Sequence, residues 1–383
     1  ATIPYVHAMR FASRPAEELA GRLAHFAPKP LTWCFFTSGG SLAVESALKI
    51  ARQYFWEQGK FRKSHFIGRW QSFHGNTIAT LSVGGHVGRR SRHWPLLIGW
   101  SHIAPANCYR CAFGLSYPGC DLRCAWALEQ EIRWQGPENV AAFIAEPIVG
   151  AAAGATAPPL EYYSIVRSIC DKHDVLFIVD EVISGFGRTG RNFGIEHWDV
   201  VPDIIAAAKG ISGGYAPLGA VIVSDRVMAA FEAGSGKVDH NFTFAGNPLA
   251  CRVGCEVLSI LEKENLVCAA AERGRQLLTL LESFRSFDSI GDIRGKGLLI
   301  GIELVEDKTT KEPFPRQFEA HQRLNALALE EGLIVYPCGG TVDGYLGDHI
   351  LLMPPLVISQ DEVEQLVELL ERVFQRFEAA LTR

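Results

Sequence analysis

The 383-residue sequence carries no basic surplus: 37 Lys and Arg stand against 42 Asp and Glu, a formal charge of -5. A nucleic-acid protein usually shows such a surplus, so no nucleic-acid partner is expected. Long hydrophobic runs are missing as well. No window reaches about 18 uncharged apolar residues, which argues against a membrane-spanning segment and a membrane partner. The opening ATIPYVHAMRFASRP lacks the apolar stretch of a signal peptide, and a cytoplasmic protein is expected. Low-complexity tracts and internal repeats are absent, and the composition, 48% hydrophobic and 21% charged, excludes disorder and collagen-like structure. The length exceeds the size at which single cores stop growing, so two domains are expected.

Cysteine is plentiful, with ten residues. In a chain this long with a full core they do not read as a disulfide scaffold. One group stands out: Cys108, Cys111, Cys120 and Cys124. Four thiols this close could make a tetrahedral zinc site. Only the first pair has metal-knuckle spacing, however, no histidine lies among them, and the segment is aromatic and rich in Gly and Pro. A surface loop with reduced or occasionally paired thiols, and no metal, is expected.

Strand-like and helix-like stretches alternate, which indicates an α/β protein with a largely parallel sheet. Short apolar runs at Val140 to Ala145, Val175 to Val179, Ile204 to Ala208 and Gly219 to Val223 read as buried strands. Leu160 to His173 reads as a helix between them. From about Asp288 the pattern changes: a strand at Leu298 to Leu304, a helix at Gln317 to Glu331, and short strands near Ile334 and Leu351. From Asp361, apolar residues at Val363, Leu366, Val367, Leu370, Val373, Phe374, Phe377 and Leu381 trace one face of an amphipathic helix. The expected organisation is an N-terminal segment 1–30, a large α/β domain 31–285 and a smaller α+β domain 286–383.

Ligands of an open parallel sheet bind beyond the carboxyl ends of its strands. Three polar residues terminate the apolar runs there: Glu146, Asp180 and Lys209. Singly, each reads as a cap or a solvated charge. Together, at one edge of one sheet, a lysine and acids suit carbonyl chemistry on an amine cofactor. The lysine would form the Schiff base and a carboxylate would keep a pyridine nitrogen protonated. Such a lysine must be neutral to act as a base, which a desolvated site would favour. A phosphate cradle is also present: Thr37-Ser38-Gly39-Gly40-Ser41 follows the apolar run Trp33 to Phe36 and opens a helix whose first N–H groups are free for an anion.

Two other motifs compete. Gly185-Phe186-Gly187-Arg188-Thr189-Gly190 fits the dinucleotide fingerprint and would support a nicotinamide-dependent dehydrogenase. Asp180 to Ser184 nevertheless separate it from the preceding strand, and the next residues, Arg191 to Gly194, lack a helical pattern. Gly234-Ser235-Gly236-Lys237 is not a P-loop, because Phe231 and Val238 occupy the places that need Gly and Ser or Thr.

The ordered motifs SGGSLAVESALKIAR, Phe73-His74-Gly75-Asn76-Thr77, Glu146-Pro147-Ile148-Val149-Gly150 and DEVISGFGRTG run through the chain. After them come Lys209-Gly210, GGYAPLGAV, Thr243-Phe244-Ala245-Gly246-Asn247-Pro248 and RGKGLLIGIEL. By these the sequence resembles the class III (ω-type) aminotransferases, pyridoxal-phosphate enzymes of fold type I, in their amine:pyruvate-like branch. The resemblance implies that Lys209 is the Schiff-base lysine and proton shuttle and that Asp180 partners the pyridine nitrogen. It implies Val182 on one ring face and Phe73 on the other, and Gly40 and Ser41 at the phosphate. Thr243 would reach the phosphate of a neighbouring subunit, making a homodimer with shared active sites. His74 would lie beside the ring and Glu146 near the substrate. The implied reaction is ping-pong transfer of an amino group from an amine or amino-acid donor to a keto acid such as pyruvate or 2-oxoglutarate. An aminomutase, racemase or decarboxylase on the same scaffold stays open.

Departures from the family bear on substrate. Ile183 replaces the glutamine of ornithine-type members, and Leu351 to Leu356 lacks the arginine that grips an α-carboxylate in amino-acid-specific relatives. An amine without an α-carboxylate is therefore the expected donor. Arg89, Arg90 and Arg92 are candidates for the keto acid's carboxylate and read equally well as a solvated basic run. Leu42 stands where glutamate is common, with no account. Relatives also carry residues before the region matching Tyr5 to Pro28, including part of the substrate entrance, so a truncated or partly disordered chain is the expectation.

Overall fold

The computed structural model describes residues 11–381. Its larger sheet holds β1 (Leu31–Thr37), β2 (His65–Arg69), β3 (Ser101–Ile103), β4 (Val140–Ala145), β5 (Leu176–Asp180), β6 (Ile204–Ala207) and β7 (Gly219–Ser224). The spatial order is β1-β7-β6-β5-β4-β2-β3. β7 runs antiparallel to both neighbours, β1 and β6, while the remaining pairs are parallel.

The central strands are apolar throughout because both sheet faces are covered. Side chains alternate between the covers. Phe143, Phe177, Val179 and Ile205 enter one core with Leu19 and Leu23 of the helix Arg14–Phe26, whereas Ile144, Leu176, Ile178 and Ile204 enter the other. The second core receives Val44, Ala47, Leu48 and Ala51 from the helix Gly40–Glu57. Burying a side chain of this kind contributes about 1.5–3 kcal/mol.

The second sheet comprises β8 (Ile290–Lys296), β9 (Leu299–Leu304), β10 (Tyr336–Gly339) and β11 (Asp348–Leu352), antiparallel in the order β10-β11-β9-β8. Its core gathers Leu277, Ile300, Ile302, Leu324 and Phe374. The terminal helix Gln360–Leu381 buries Val363, Leu370, Val373, Phe374 and Phe377 on one stripe, as the spacing predicts. The helix expected from Gln317 starts only at Ala320. Glu319 takes a left-handed φ of 49° and separates it from a short 3-10 turn, Arg316–Phe318.

This topology sets the site. β1, β2, β4, β5 and β6 all point the same way, so their carboxyl ends share one edge. The chain leaving them carries Gly39, Gly40 and Ser41 after β1, Phe73 and His74 after β2, Glu146 after β4, Val182 after β5 and Lys209 after β6, with Asp180 ending β5.

Candidate active site

The helix Gly40–Glu57 begins on Gly39, which provides no side-chain cap, and its first turn holds no acidic residue. A Cβ at Gly39 would meet nothing within 4 Å, so the open N-terminus is left with small groups and free donors. At Gly40 the situation is opposite. A Cβ there would stand 2.9 Å from Val182 Cγ1 and 3.6 Å from Ala208 Cβ. The absence of a side chain thus lets the helix start press against the residues flanking Asp180 and Lys209.

The loop after β2 is sewn to three other elements. Ser41 Oγ accepts the Asn76 N–H at 3.1 Å, and Glu146 Oε2 accepts the Phe73 N–H at 3.1 Å. His74 Nδ1 lies 2.8 Å from Asp180 Oδ2. Asp180 Oδ1 accepts the Val182 N–H at 3.0 Å. Both oxygens of this buried carboxylate are therefore oriented by protein groups, while His74 Nε2 is buried without a hydrogen-bond partner among the described residues.

Glu146 also takes the Gly150 N–H, at 3.3 Å from Oε1. Burial pushes its carboxyl above the ordinary range, with Asp180 adding to the rise, while His74, the Phe73 N–H and Arg69 pull it back. Its contacts make Glu146 a brace for the Phe73 loop. Phe73 itself packs on Val149, Ala152 and Ala153.

Lys209 follows β6 with a left-handed φ of 46°, a conformation sparsely populated by residues other than glycine. Its side chain is exposed, so the desolvation expected of the lysine is not supplied by the described residues of a single chain. Thr243 is also exposed, in the segment ahead of the helix Pro248–Lys263. The structure thus ties Gly40, Ser41, Phe73, His74, Glu146, Asp180 and Val182 into one bonded or touching set. Lys209 adjoins it through Ala208, and Thr243 is on the surface.

Three supporting residues escaped the sequence. Arg69, fully buried at the end of β2, donates to the Glu146 carbonyl and to Tyr163 Oη. Tyr163 in turn donates to the same carbonyl at 2.7 Å. Glu181, also fully buried, accepts from Ser184 Oγ and the N–H groups of Gly194 and Ile195. Arg69 could have been found as a charge ending an apolar strand at the active edge; Glu181 has no signal beyond its place in DEVISGFGRTG, and Tyr163 lies in none of the motifs.

The GFGRTG turn has a structural task. Phe186 stacks on Phe26 with ring centroids 5.9 Å apart, and Arg188 donates to the carbonyls of Leu298 and Pro354. The four-cysteine group holds free thiols, and burial followed by its fellow thiols raises Cys124 to about 11. Among the described residues no three His, Cys, Asp or Glu side chains are grouped to hold a metal, and no helix is long and apolar enough to cross a membrane.

The Aminotransferase class-III family model matches residues 2–374. An uncharacterized aminotransferase of Schizosaccharomyces pombe is 40% identical over 380 residues, covering 98% of this chain and 83% of its own. The putrescine–pyruvate aminotransferase of Pseudomonas aeruginosa is 35% identical over 368 residues, covering 96% and 78%. The crystal structure of a thermostable (S)-enantioselective omega-transaminase from Thermomicrobium roseum superposes with a TM-score of 0.90 at 38% identity, covering 98% of this chain and 82% of that one. An amine, a braced carboxylate and an anion-ready helix start at one edge of a parallel sheet agree with these likenesses, and the chain belongs to the class III aminotransferases.

Proposed function

We propose that this aminotransferase uses pyridoxal 5'-phosphate to move an amino group from an amine donor to a keto acid such as pyruvate or 2-oxoglutarate. It would act in alternating half-reactions, as a cytoplasmic homodimer. The reading is carried by the His74–Asp180–Val182–Gly40 chain of contacts, which joins a buried carboxylate to an uncapped helix start beside Lys209.

The residues fit the cofactor. The open N-terminus at Gly39 and Gly40, with Ser41, suits a phosphate. The buried, doubly oriented Asp180 suits a protonated ring nitrogen. When bound, the cofactor supplies an electron sink. Lys209 would then bind it covalently and carry the proton on and off the substrate carbon. Asp180 would hold the ring-nitrogen proton, and His74 would keep that carboxylate in orientation. Val182 and Phe73 would flank the ring, with Glu146 fixing the Phe73 backbone. Thr243 would complete the phosphate site of a second copy of the chain and bring the cover that Lys209 lacks alone. The large domain 31–285 would carry this machinery and 286–383 would close over it. Ile183, packed against Gly150, keeps the substrate side apolar, in favour of donors without an α-carboxylate.

The test is a donor panel with pyruvate and 2-oxoglutarate, run on the holoenzyme and on Lys209→Ala. Expected are a carbonyl product from the donor with formation of the acceptor's amino acid, and loss of both turnover and lysine-bound cofactor absorbance in the variant. Product formation without a keto-acid acceptor would replace this reading by a racemase, mutase or decarboxylase.

A further inference from the structure

A keto-acid acceptor brings a carboxylate that a simple amine donor lacks, and the chain must meet it with a cation. Most nearby arginines are already engaged. Arg90 is buried, with Nη1 donating to the carbonyls of Leu81, Ser82 and Gly84. Arg188 serves Leu298 and Pro354, Arg69 serves the Glu146 carbonyl, and Arg294 lies 2.7 Å from Glu303.

Arg89 differs. Its guanidinium carbon stands 4.5 Å from the centroid of the Phe73 ring, the side chain is exposed, and it makes no ion pair among the described residues. It also lines a cleft of about 810 Å³ together with Asn76, His86, Arg92 and Arg316. Asn76 bonds Ser41, so this cleft begins beside the proposed phosphate cradle. Its acids are Asp348, paired with His321, and Glu319. His86, whose ring meets Phe73 at a steep angle with centroids 6.3 Å apart, has its pKa lowered by burial and by Arg89, so it stays neutral at pH 7 and leaves the cationic role to the guanidinium. Arg316 is stacked on Tyr345 at 3.7 Å.

Resting on the aminotransferase reading, we infer that Arg89 is the residue that binds the carboxylate of the keto-acid acceptor. A planar guanidinium lying over a half-buried ring, with its own donors open to solvent, gives up little to form two charge-assisted hydrogen bonds with a carboxylate. Phe73 links the two functions: its backbone is braced by Glu146 in the catalytic set, and its ring carries the acceptor's anchor. An acceptor without a carboxylate has no use for Arg89.

The experiment compares the holoenzyme with Arg89→Gln, Arg89→Lys, Arg92→Gln and Arg316→Gln. Binding of propionate, an unreactive three-carbon carboxylate, is measured by titration calorimetry, and KM is measured for pyruvate and for butanal as acceptors. Arg89→Gln is expected to weaken propionate binding and raise the pyruvate KM by about tenfold or more, and to move the butanal KM by less than about twofold. Arg89→Lys should recover part of the loss, while Arg92→Gln and Arg316→Gln stay near the parent. Equal losses for pyruvate and butanal, no loss with Arg89→Gln, no propionate binding by the parent, or a selective loss with either other arginine would overturn the inference. Propionate binding needs no amino transfer, so Arg89-dependent binding without turnover would sink the functional reading alone.

Discussion

Nδ1 of His74 lies 2.8 Å from Oδ2 of Asp180, and both side chains are buried. With the Val182 N–H on Oδ1, the carboxylate has no freedom to rotate. A carboxylate held this way can keep a positive ring nitrogen in place without reorganising during reaction.

Asp180→Asn keeps the shape and removes the charge. It is expected to lower kcat by roughly 10²–10⁴-fold, in the range of lost acid–base and electrostatic assistance. His74→Phe leaves the charge but frees its orientation and should cost less, about tenfold. Initial rates with one amine donor and pyruvate give both values. An Asp180→Asn rate equal to the parent would remove Asp180 from the chemistry.

Glu181 makes stability depend on pH. Burial raises its carboxyl from 4.5 to about 7, despite the donors of Ser184, Ile195 and Gly194. Between about pH 4.5 and 7 the folded chain holds a proton that the unfolded chain has lost, so stability falls as pH rises through this window and levels off above it. The cost is on the order of 3 kcal/mol. Melting temperatures at pH 5 and pH 8 should therefore fall further for the parent than for Glu181→Gln, which has no proton to lose there. A parallel pH trend in both proteins would exclude Glu181 as the source.

Much of this site is visible in the sequence because strand ends are visible. Glu146 and Lys209 follow unbroken apolar runs, and a parallel sheet carries such ends to one edge whatever the loops do. Asp180 is the last residue of its strand, one position beyond the expected end at Val179. The bracing could not be read this way. That Glu146 takes the Phe73 N–H, or that Arg69 holds the Glu146 carbonyl, depends on how loops from distant parts of the chain meet. The basic run Arg89 to Arg92 shows the same limit: three similar residues in sequence divide into one buried under carbonyls, one stacked on Phe73, and one on the cleft wall.

Gly75 tests the closeness of the loop to the helix start. Its φ is 134°, and a Cβ would stand 2.6 Å from Ser41 Oγ and 2.7 Å from Thr80 Oγ1. Gly75→Ala is expected to displace Ser41 and strain the backbone by about 1–3 kcal/mol. Cofactor retention on dialysis should drop along with the melting temperature. Gly39→Ala, whose added methyl meets open space in the chain, should fold like the parent.

The second sheet reaches the site through Glu303 in β9. This fully buried carboxylate bonds Arg110 Nε and lies 2.7 Å from Arg294 Nη1. Arg294 in turn donates to the carbonyls of Ala153 and Gly154, beside the Phe73 contact at Ala152 and Ala153. Glu303→Gln would leave Arg110 beside a neutral amide and Arg294 with Asp292, 2.9 Å away, as its remaining carboxylate, and breaking a buried pair in this manner costs up to about 3–5 kcal/mol. Urea unfolding of the variant should show that loss. Because the 153–154 carbonyls then lose a fixed donor, the loop carrying Ala152 should loosen and the donor KM should rise with it. If stability falls but the KM does not, the Glu303 network holds the second sheet together without shaping the active edge.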